Sequence, residues 1–200
     1  MTDEELHQKS LNNKLNKTII YDEWAETYEN YVKSIKYIAP KEFCKILIMY
    51  NKYIKPKILD FGCGTGLLGL EISNNLECYL DGIDISNKMI LKCKQKKCYD
   101  NIYNLNLQTK TLNKKYDIIV SCGVFLEGHV DIDLINKLGE ILSNNGLIVF
   151  TIRNTYIHKC SNKFNEIILN NPLLKNIYYQ QIQYLENIES SLIILKKIKH

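Results

Sequence analysis

A short glycine-rich stretch, residues 59–69 (LDFGCGTGLLG), constrains this chain more than any other part of its sequence. Its three glycines stand at every second position, after an apolar run and an acidic residue. Glycine has no Cβ atom, so the backbone can turn sharply there and a ligand can lie against it. A following helix would add free N–H groups and a partial positive charge. The stretch therefore predicts a nucleotide-type loop between a strand and a helix.

The glycine spacing discriminates between classes of nucleotide site. A dinucleotide fingerprint, G-x-G-x-x-G, would need its third glycine at position 67, where this chain has Leu67. The loop also lacks the lysine and the Ser/Thr of a P-loop. Asp84, at the end of the next predicted strand, stands where a carboxylate can bind ribose hydroxyls, but both nucleotide classes share that feature. The spacing therefore argues against an NAD-linked dehydrogenase.

From residue 57 onward, strand-like and helix-like segments alternate. Strands are predicted over 57–61, 78–84, 101–105, 116–121 and 147–152. Helices are predicted over 65–75, from the N-cap residue Ser86 onward, and over 131–142. The last has one apolar face, formed by Leu134, Ile135, Leu138, Ile141 and Leu142. Alternation with short connections predicts an α/β protein with a mostly parallel sheet and helices on both faces.

The two ends of the chain depart from this alternation. Two strand-like runs, 176–186 and 191–199, are joined by a polar turn, NIES, and predict an antiparallel C-terminal hairpin that completes seven strands. Helices are predicted over about 3–14, 22–33 and 40–52, lying across the carboxyl edge of the sheet. We therefore expect a single domain over 1–200, with 1–53 as an N-terminal helical lid or extension.

Composition excludes several other classes of protein. The polar N-terminus has no secretory signal, and the apolar runs are too short to cross a bilayer, so we expect a cytoplasmic protein without membrane association. Seven cysteines without a C-x-x-C pair predict reduced thiols and no metal site. A net charge of +4, without an aromatic-interleaved basic patch, disfavours a nucleic-acid partner. We expect a monomer.

Four sequence blocks, in order within residues 20–155, resemble the class I S-adenosylmethionine (AdoMet)-dependent methyltransferases. They are LDFGCGTG, DGIDISNKMI, YDIIVSCGVF and LSNNGLIVFTIR. More narrowly, residues 21–40 and LEGHV at 126–130 look like the Williams–Beuren-region methyltransferase-like proteins, the methyltransferase-like protein 27 group. The resemblance implies a Rossmann-like class I methyltransferase fold, AdoMet as cofactor and S-adenosylhomocysteine (AdoHcy) as product.

The resemblance also implies where the cofactor binds. Asp60 and the backbone of Gly62 and Gly64 would face its methionine portion, and Asp84 would accept hydrogen bonds from its ribose hydroxyls. Asn106 stands where the superfamily often has an acidic residue, and its carbonyl can still accept from the adenine amino group. The full predicted set is Tyr21, Trp24, Tyr28, Asp60, Gly62, Cys63, Gly64, Gly66, Asp84, Ile85, Met89, Asn106 and Leu107. Cys63 is interpreted as a small residue in a tight turn.

Several members of this set have alternative roles. Met89 packs either on the adenine, together with Ile85, or in an ordinary helix–sheet core. Trp24 and Tyr28 share one helical face with Tyr31, which predicts either a docking stripe or, as the resemblance suggests, a lid over the cofactor. In the second interpretation Tyr21 or Tyr28 offers the cofactor a hydroxyl, and the two interpretations are compatible.

Methyl transfer from a sulfonium needs an aligned acceptor. A general base is needed only where the acceptor loses its proton late in the reaction. The candidates for the base are Glu127 and His129, in the segment after strand four, although either could simply be solvated. Arg153, the only arginine in the chain, would bind a substrate carboxylate or brace the loop internally. The absence of N-P-P-Y and D-P-P-Y argues against planar-nitrogen acceptors.

Two hypotheses remain open at this point. The first is an active methyltransferase (EC 2.1.1) that acts on a small molecule or a protein side chain. The second is a catalytically silent AdoMet-binding scaffold or partner subunit. Intact glycines and Asp84 support cofactor binding in both.

Overall fold

The computed structural model describes residues 1–185 and 188–198 and shows a seven-stranded sheet flanked by helices. The strands are β1 (Lys57–Phe61), β2 (Tyr79–Asp84), β3 (Asn101–Asn104), β4 (Tyr116–Phe125), β5 (Leu142–Arg153), β6 (Leu174–Leu185) and β7 (Ile188–Lys197). The helices are α1 (Asp3–Ser10), α2 (Lys17–Trp24), α3 (Tyr28–Ser34), α4 (Ala39–Tyr50), α5 (Leu67–Asn75), α6 (Asn87–Gln95), α7 (Leu134–Glu140), α8 (Asn154–Lys159) and α9 (Ser161–Phe164), followed by a π-helical turn over Asn165–Leu169.

The strand order is β3-β2-β1-β4-β5-β7-β6. The first five strands in this order pair in parallel, whereas β7 pairs antiparallel with both β5 and β6. The predicted fold class, a mostly parallel seven-stranded sheet with an antiparallel C-terminal pair, is confirmed. Because the chain leaves β1 toward β2 and later returns to its other side with β4, the strand order reverses at β1. Ligands of such sheets bind at this reversal, outside the carboxyl ends of the strands.

Helices bury both faces of the sheet. On one face α7 and the segment after β5 pack Leu138, Phe164 and Ile168 against Ile148 and Phe150. On the other face α4 and α5 cover the central strands. Helices α1 to α3 form a separate apolar cluster with Met89 of α6. Only these first three helices lie near the carboxyl edge, so the prediction that all N-terminal helices cross that edge is wrong for α4.

Several predicted boundaries are also wrong. The helix predicted over 22–33 is two helices, since the Thr27 N–H donates to the Trp24 carbonyl in a turn at 3.1 Å. Strand β4 continues to Phe125, so the SCGVF segment is strand and not loop. Leu142 is not the end of a helix but the start of β5, where it pairs with Tyr116. Asn145 adopts a left-handed backbone (φ 61°) in the irregular stretch that follows.

The C-terminal region adds elements that the sequence patterns did not predict. Helices α8 and α9 and the π-helical turn fill the connection between β5 and β6. The predicted hairpin strands are present, and the NIES turn lies partly outside the described residues, while Ile188 already belongs to β7. Among the residues described, no helix has the length and apolar character that crossing a membrane requires.

Candidate functional site

The carboxyl ends of β1, β2 and β4 surround a cleft of about 880 Å³, part of which opens to solvent. Helices α2 and α3 form its outer wall through Tyr21 and Tyr28. The cleft lies at the reversal of the strand order, where the topology predicts a ligand site.

The glycine loop forms the floor of this cleft. The N–H groups of Gly62 and Cys63 donate to the Ile83 carbonyl at 2.8 and 3.1 Å, which holds the loop against β2. A Cβ atom on Gly62 would lie 2.4 Å from the Val124 side chain, so that glycine permits close packing between β1 and β4. Gly64 also has a left-handed backbone (φ +52°), but a Cβ there would meet nothing within 4 Å. Gly64 therefore faces open space in the cleft.

Asp84 stands beside this loop at the end of β2. Its Oδ2 accepts from the Gly64 N–H at 2.8 Å, and its Oδ1 accepts from the Ser86 N–H at 2.9 Å. Burial raises the pKa of this carboxyl, while the backbone hydrogen bonds lower it. Each carboxylate oxygen still has a lone pair for a ligand hydroxyl. The arrangement suits a group with two neighbouring hydroxyls.

The side of the cleft next to Asp84 is mostly apolar. Ile85, Met89 and Leu107 line it together with Asn106. Met89 is 1% exposed and also contacts the cluster of α1 to α3, so it belongs both to the cleft wall and to an apolar core. The Asn106 side-chain oxygen accepts from the Gln108 N–H at 2.8 Å and retains a second lone pair. A flat heterocycle would find apolar contacts here and one polar edge.

Three predicted cofactor residues do not line the cleft but support the loop from behind. Asp60 is buried and accepts from the Tyr99 hydroxyl at 2.7 Å, and burial raises the pKa of its carboxyl to about 7. A Cβ on Gly66 would lie 2.9 Å from Cys93 Sγ, so Gly66 allows α6 to approach the loop. Cys63 is likewise buried, and a hydrogen bond that its thiol donates to Cys93, together with burial, raises its pKa.

Tyr21 and His129 form a hydrogen-bonded pair at the cleft. The Tyr21 hydroxyl lies 2.6 Å from His129 Nε2, and His129 Nδ1 lies 3.2 Å from the Glu127 carbonyl oxygen. A carbonyl only accepts, so Nδ1 carries the imidazole proton and Nε2 accepts from the Tyr21 hydroxyl. Burial, helped by the charges of Lys17 and Arg153, lowers the pKa of His129 to about 4. His129 is therefore neutral at pH 7.

The other predicted residues have supporting or adjoining positions. Glu127 does not line the cleft, and it is its backbone carbonyl that orients His129. Trp24 is 2% exposed and stands behind the cleft wall, with its ring centroid 5.2 Å from that of Tyr28. Arg153 lines an adjoining cavity. The structure thus brings Tyr21 of the N-terminal segment onto His129 of the LEGHV segment, although 108 residues separate them.

Sequence reasoning missed several residues of the cleft, among them Lys17, Phe61, Cys122, Gly123 and Val124. The last four lie at the carboxyl ends of β1 and β4, so the rule for the strand-order reversal would have found them. Lys17 begins a helix far from the sheet in sequence, and no pattern indicated it.

Comparisons with known proteins agree with this geometry. Residues 59–148 match a family model described as a methyltransferase domain. The chain is 32% identical over 133 residues to malonyl-[acyl-carrier protein] O-methyltransferase 1 of Ilyobacter polytropus, covering 64% of this chain and 48% of that protein. It is 30% identical over 111 residues to ribosomal protein L11 methyltransferase of Lactobacillus johnsonii, covering 53% of this chain and 34% of that protein.

The narrower resemblance is found as well. Methyltransferase-like protein 27 of Homo sapiens is 27% identical over 138 residues, covering 66% of this chain and 56% of that protein. The chain therefore spans between a third and somewhat over half of the length of these curated relatives. The predicted resemblance to the methyltransferases and to this protein is confirmed.

Solved structures share the fold. An S-adenosylmethionine-dependent methyltransferase from Clostridium acetobutylicum aligns with a TM-score of 0.68 and 14% identity, covering 90% of this chain and 99% of that one. A ribosomal protein L11 methylase from Lactobacillus delbrueckii subsp. bulgaricus aligns with a TM-score of 0.62 and 16% identity, covering 80% and 79%. These likenesses confirm the Rossmann-like methyltransferase fold.

Proposed function

We propose that this chain, which carries a methyltransferase domain on a class I methyltransferase fold, is an AdoMet-dependent methyltransferase (EC 2.1.1) acting on a small molecule. The observation that carries the proposal is the pairing of Asp84 with the open loop at Gly64, whose N–H donates to the carboxylate at 2.8 Å. A ribose diol would bind this carboxylate, and the amino-acid portion would lie over Gly64.

The residues of the cleft fit AdoMet in their chemistry. The space above Gly64 is open where a side chain would otherwise stand. Asp84 supplies acceptors for two hydroxyls, and Ile85 and Met89 supply apolar contacts for a purine. We infer that these residues, with the Gly62 backbone, Asn106 and Leu107, hold the cofactor. Asp60, Cys63 and Gly66 support the loop from behind.

When bound, AdoMet supplies a methyl group that its sulfonium already activates for in-line displacement. The protein then has to position the acceptor and exclude water. Tyr21 and Tyr28 close the outer wall of the cleft, and both contact the buried Trp24. Their position supports a lid that comes from the N-terminal helices.

The Tyr21–His129 pair can accept a proton from the methyl acceptor. Neutral His129 has its free lone pair at Nε2, where the Tyr21 hydroxyl donates at 2.6 Å. An acceptor that gives its proton to the Tyr21 oxygen would pass a proton on to Nε2. We therefore propose His129 as the general base acting through Tyr21, and we propose that Glu127 orients it through its backbone.

We also propose the kind of methyl acceptor and the cellular compartment. The names of two relatives specify malonyl-[acyl-carrier protein] and ribosomal protein L11, which are a carrier-bound small molecule and a protein. We propose a small-molecule acceptor because the cleft is lined by apolar and aromatic side chains. The seven free thiols are compatible with the reducing cytoplasm that we propose as its compartment, where it would act as a monomer.

Calorimetric titration with AdoHcy tests the cofactor half of this proposal. Wild-type protein is expected to bind in the micromolar range, and Asp84→Asn at least about tenfold more weakly because charged acceptors for the ribose are lost. Asp100→Asn, an exposed aspartate outside the cleft, serves as the control. Failure of the wild type to bind would reject the proposal.

Incubation with methyl-tritiated AdoMet and a size-fractionated cell extract tests turnover. An active enzyme that acts on a small molecule produces a labelled compound other than AdoMet in the low-molecular-weight fraction. Binding of AdoHcy without transfer of label to any fraction would instead favour the second hypothesis, a catalytically silent scaffold or partner subunit. Label in the protein fraction would favour a protein side chain as the acceptor.

A further inference from the structure

A second cavity, of about 440 Å³ including the part that opens to solvent, adjoins the cofactor cleft. The two spaces share Tyr21, Tyr28 and Gly123 as walls, so a molecule in the second cavity lies next to the Tyr21 side of the Tyr21–His129 pair. The cavity is therefore in the right place for a methyl acceptor.

Aromatic rings of the N-terminal helices line this cavity. The ring centroid of Trp24 lies 5.2 Å from those of Tyr28 and Tyr31, and 6.0 Å from that of His7. Trp24 and Tyr31 are 2% and 8% exposed, and the Tyr31 hydroxyl is held by His7 Nδ1 at 2.7 Å. Packed rings of this kind form rigid, flat surfaces that favour contact with another ring.

A single positive charge projects from the end of β5 into this aromatic space. Arg153 is half-buried, and within residues 1–185 and 188–198 its guanidinium has no hydrogen-bond or ion-pair partner. The described residues that line the cavity include no carboxylate. Burial, and to a smaller extent the charge of Arg153, lowers the pKa of both His7 and His129. A guanidinium in such surroundings favours a planar anion, which it can bind through two parallel hydrogen bonds.

On the premise of the proposed methyltransferase function, we propose that the acceptor is a small aromatic carboxylate whose ring lies against Trp24 and Tyr31 and whose carboxylate pairs with Arg153. A hydroxyl or amino group elsewhere on the same molecule then reaches the cleft beside Tyr21. The bond from its heteroatom to the methyl carbon forms as the carbon–sulfur bond breaks, and sulfur keeps the electron pair. The heteroatom's proton passes through the Tyr21 hydroxyl to His129 Nε2. A cationic acceptor is disfavoured by Arg153 and by Lys17, which lines the cleft.

Matched pairs of ligands test this inference by binding, without requiring turnover. Protein saturated with AdoHcy is titrated calorimetrically with hydroxybenzoates, aminobenzoates and hydroxycinnamates, each compared with its neutral primary amide. At least one acid is expected to bind about tenfold or more tightly than its amide, as expected for a charged hydrogen-bonded pair. The ratio of the amide's Kd to the acid's Kd is expected to fall to about one in Arg153→Met. In Arg153→Lys it is expected to have an intermediate value, because lysine keeps the charge but not the two-pronged geometry.

The control variant is Lys159→Met, which removes one exposed positive charge close by in sequence on α8 and should leave the ratio unchanged. Melting temperatures of the variants verify folding. Acids that bind no better than their amides to folded wild type would overturn the inference, as would an unchanged ratio in Arg153→Met. Loss of AdoHcy binding in Arg153→Met would also overturn it, since Arg153 would then belong to the cofactor site. Loss of AdoHcy binding in the wild type would instead reject the proposed function itself.

Discussion

Asp22 of α2 accepts two hydrogen bonds from the start of α6, from Ser86 Oγ at 2.5 Å and from the Lys88 N–H at 3.0 Å. The Ser86 N–H in turn donates to Asp84 Oδ1 at 2.9 Å. Ser86, in the middle of this route, is fully buried. One chain of hydrogen bonds therefore connects the N-terminal helices with the carboxylate that we propose binds the ribose, and the position of α2 is coupled to the cofactor site.

We expect Asp22→Ala to loosen α2 and to weaken cofactor binding. The variant leaves the Ser86 hydroxyl and the Lys88 N–H without their acceptor, which costs about 1–3 kcal/mol of unfolding free energy. Hydrogen exchange of the α2 amides should accelerate, and the Kd for AdoHcy should rise. Glu23→Ala, an exposed neighbour, is the control. Unchanged exchange in α2 would show that other contacts, such as the Glu26–Lys92 pair at 2.6 Å, are sufficient.

Alanine substitutions at two loop glycines should have different effects on AdoHcy affinity and on stability. Gly64→Ala keeps a left-handed backbone at a cost of about 1–2 kcal/mol and puts a methyl group into the open cleft, so AdoHcy affinity should fall more than stability. Gly62→Ala adds a Cβ 2.4 Å from the Val124 side chain, so it should lose several kcal/mol of stability. Denaturant unfolding and calorimetry on the same samples separate the two. Equal stability loss in both variants would contradict the assignment of Gly64 to the ligand surface.

Asp60 should make the protein less stable as the pH rises. Burial raises the pKa of its carboxyl to about 7, well above the ordinary value of 3.8. The folded state therefore binds a proton that the unfolded state has released, and this stabilisation is lost as the pH rises from about 4 through 7. Asp60→Asn should make the free energy of unfolding less dependent on pH. At pH 8 the free energy of unfolding of this variant should be higher than that of the wild type by up to about 4 kcal/mol.

The same variant distinguishes two roles for Asp60. Asparagine can still accept from the Tyr99 hydroxyl, so a supporting role leaves AdoHcy affinity within about threefold of wild type. A direct contact with the methionine portion, which the family resemblance implied, would lower the affinity by tenfold or more by loss of a charged partner.

Tyr21→Phe should lower kcat without a comparable change in the Kd for AdoHcy. The variant removes the hydroxyl that donates to His129 Nε2 at 2.6 Å and so interrupts the proposed proton route. We expect a decrease of about 10²-fold, typical of loss of general base catalysis. Tyr53→Phe is the control, because the Tyr53 hydroxyl donates a hydrogen bond to the Asn145 carbonyl away from the cleft. If the kcat of Tyr21→Phe equals that of the wild type, the acceptor needs no general base.

Much of the fold could be predicted because it depends on local patterns. The apolar run at β1, the Ser86 N-cap and the alternation of segments all survive in the structure, since buried parallel strands and helix caps have signatures of a few residues. Boundaries were less predictable where tertiary packing overrides periodicity. Leu142 continues the helical stripe of 134–141 in sequence, yet it pairs with Tyr116 in the sheet.

Within the candidate site, the sequence by itself determined the loop and its carboxylate. Glycine spacing and Asp84 act through local backbone geometry, which a short motif specifies. Only the tertiary structure decided the rest: that Asp60 faces Tyr99, that Tyr21 meets His129, and that Arg153 opens into an aromatic cavity. These side chains are brought together by the folding of distant segments, and the burial that shifts their pKa values exists only once those segments have packed.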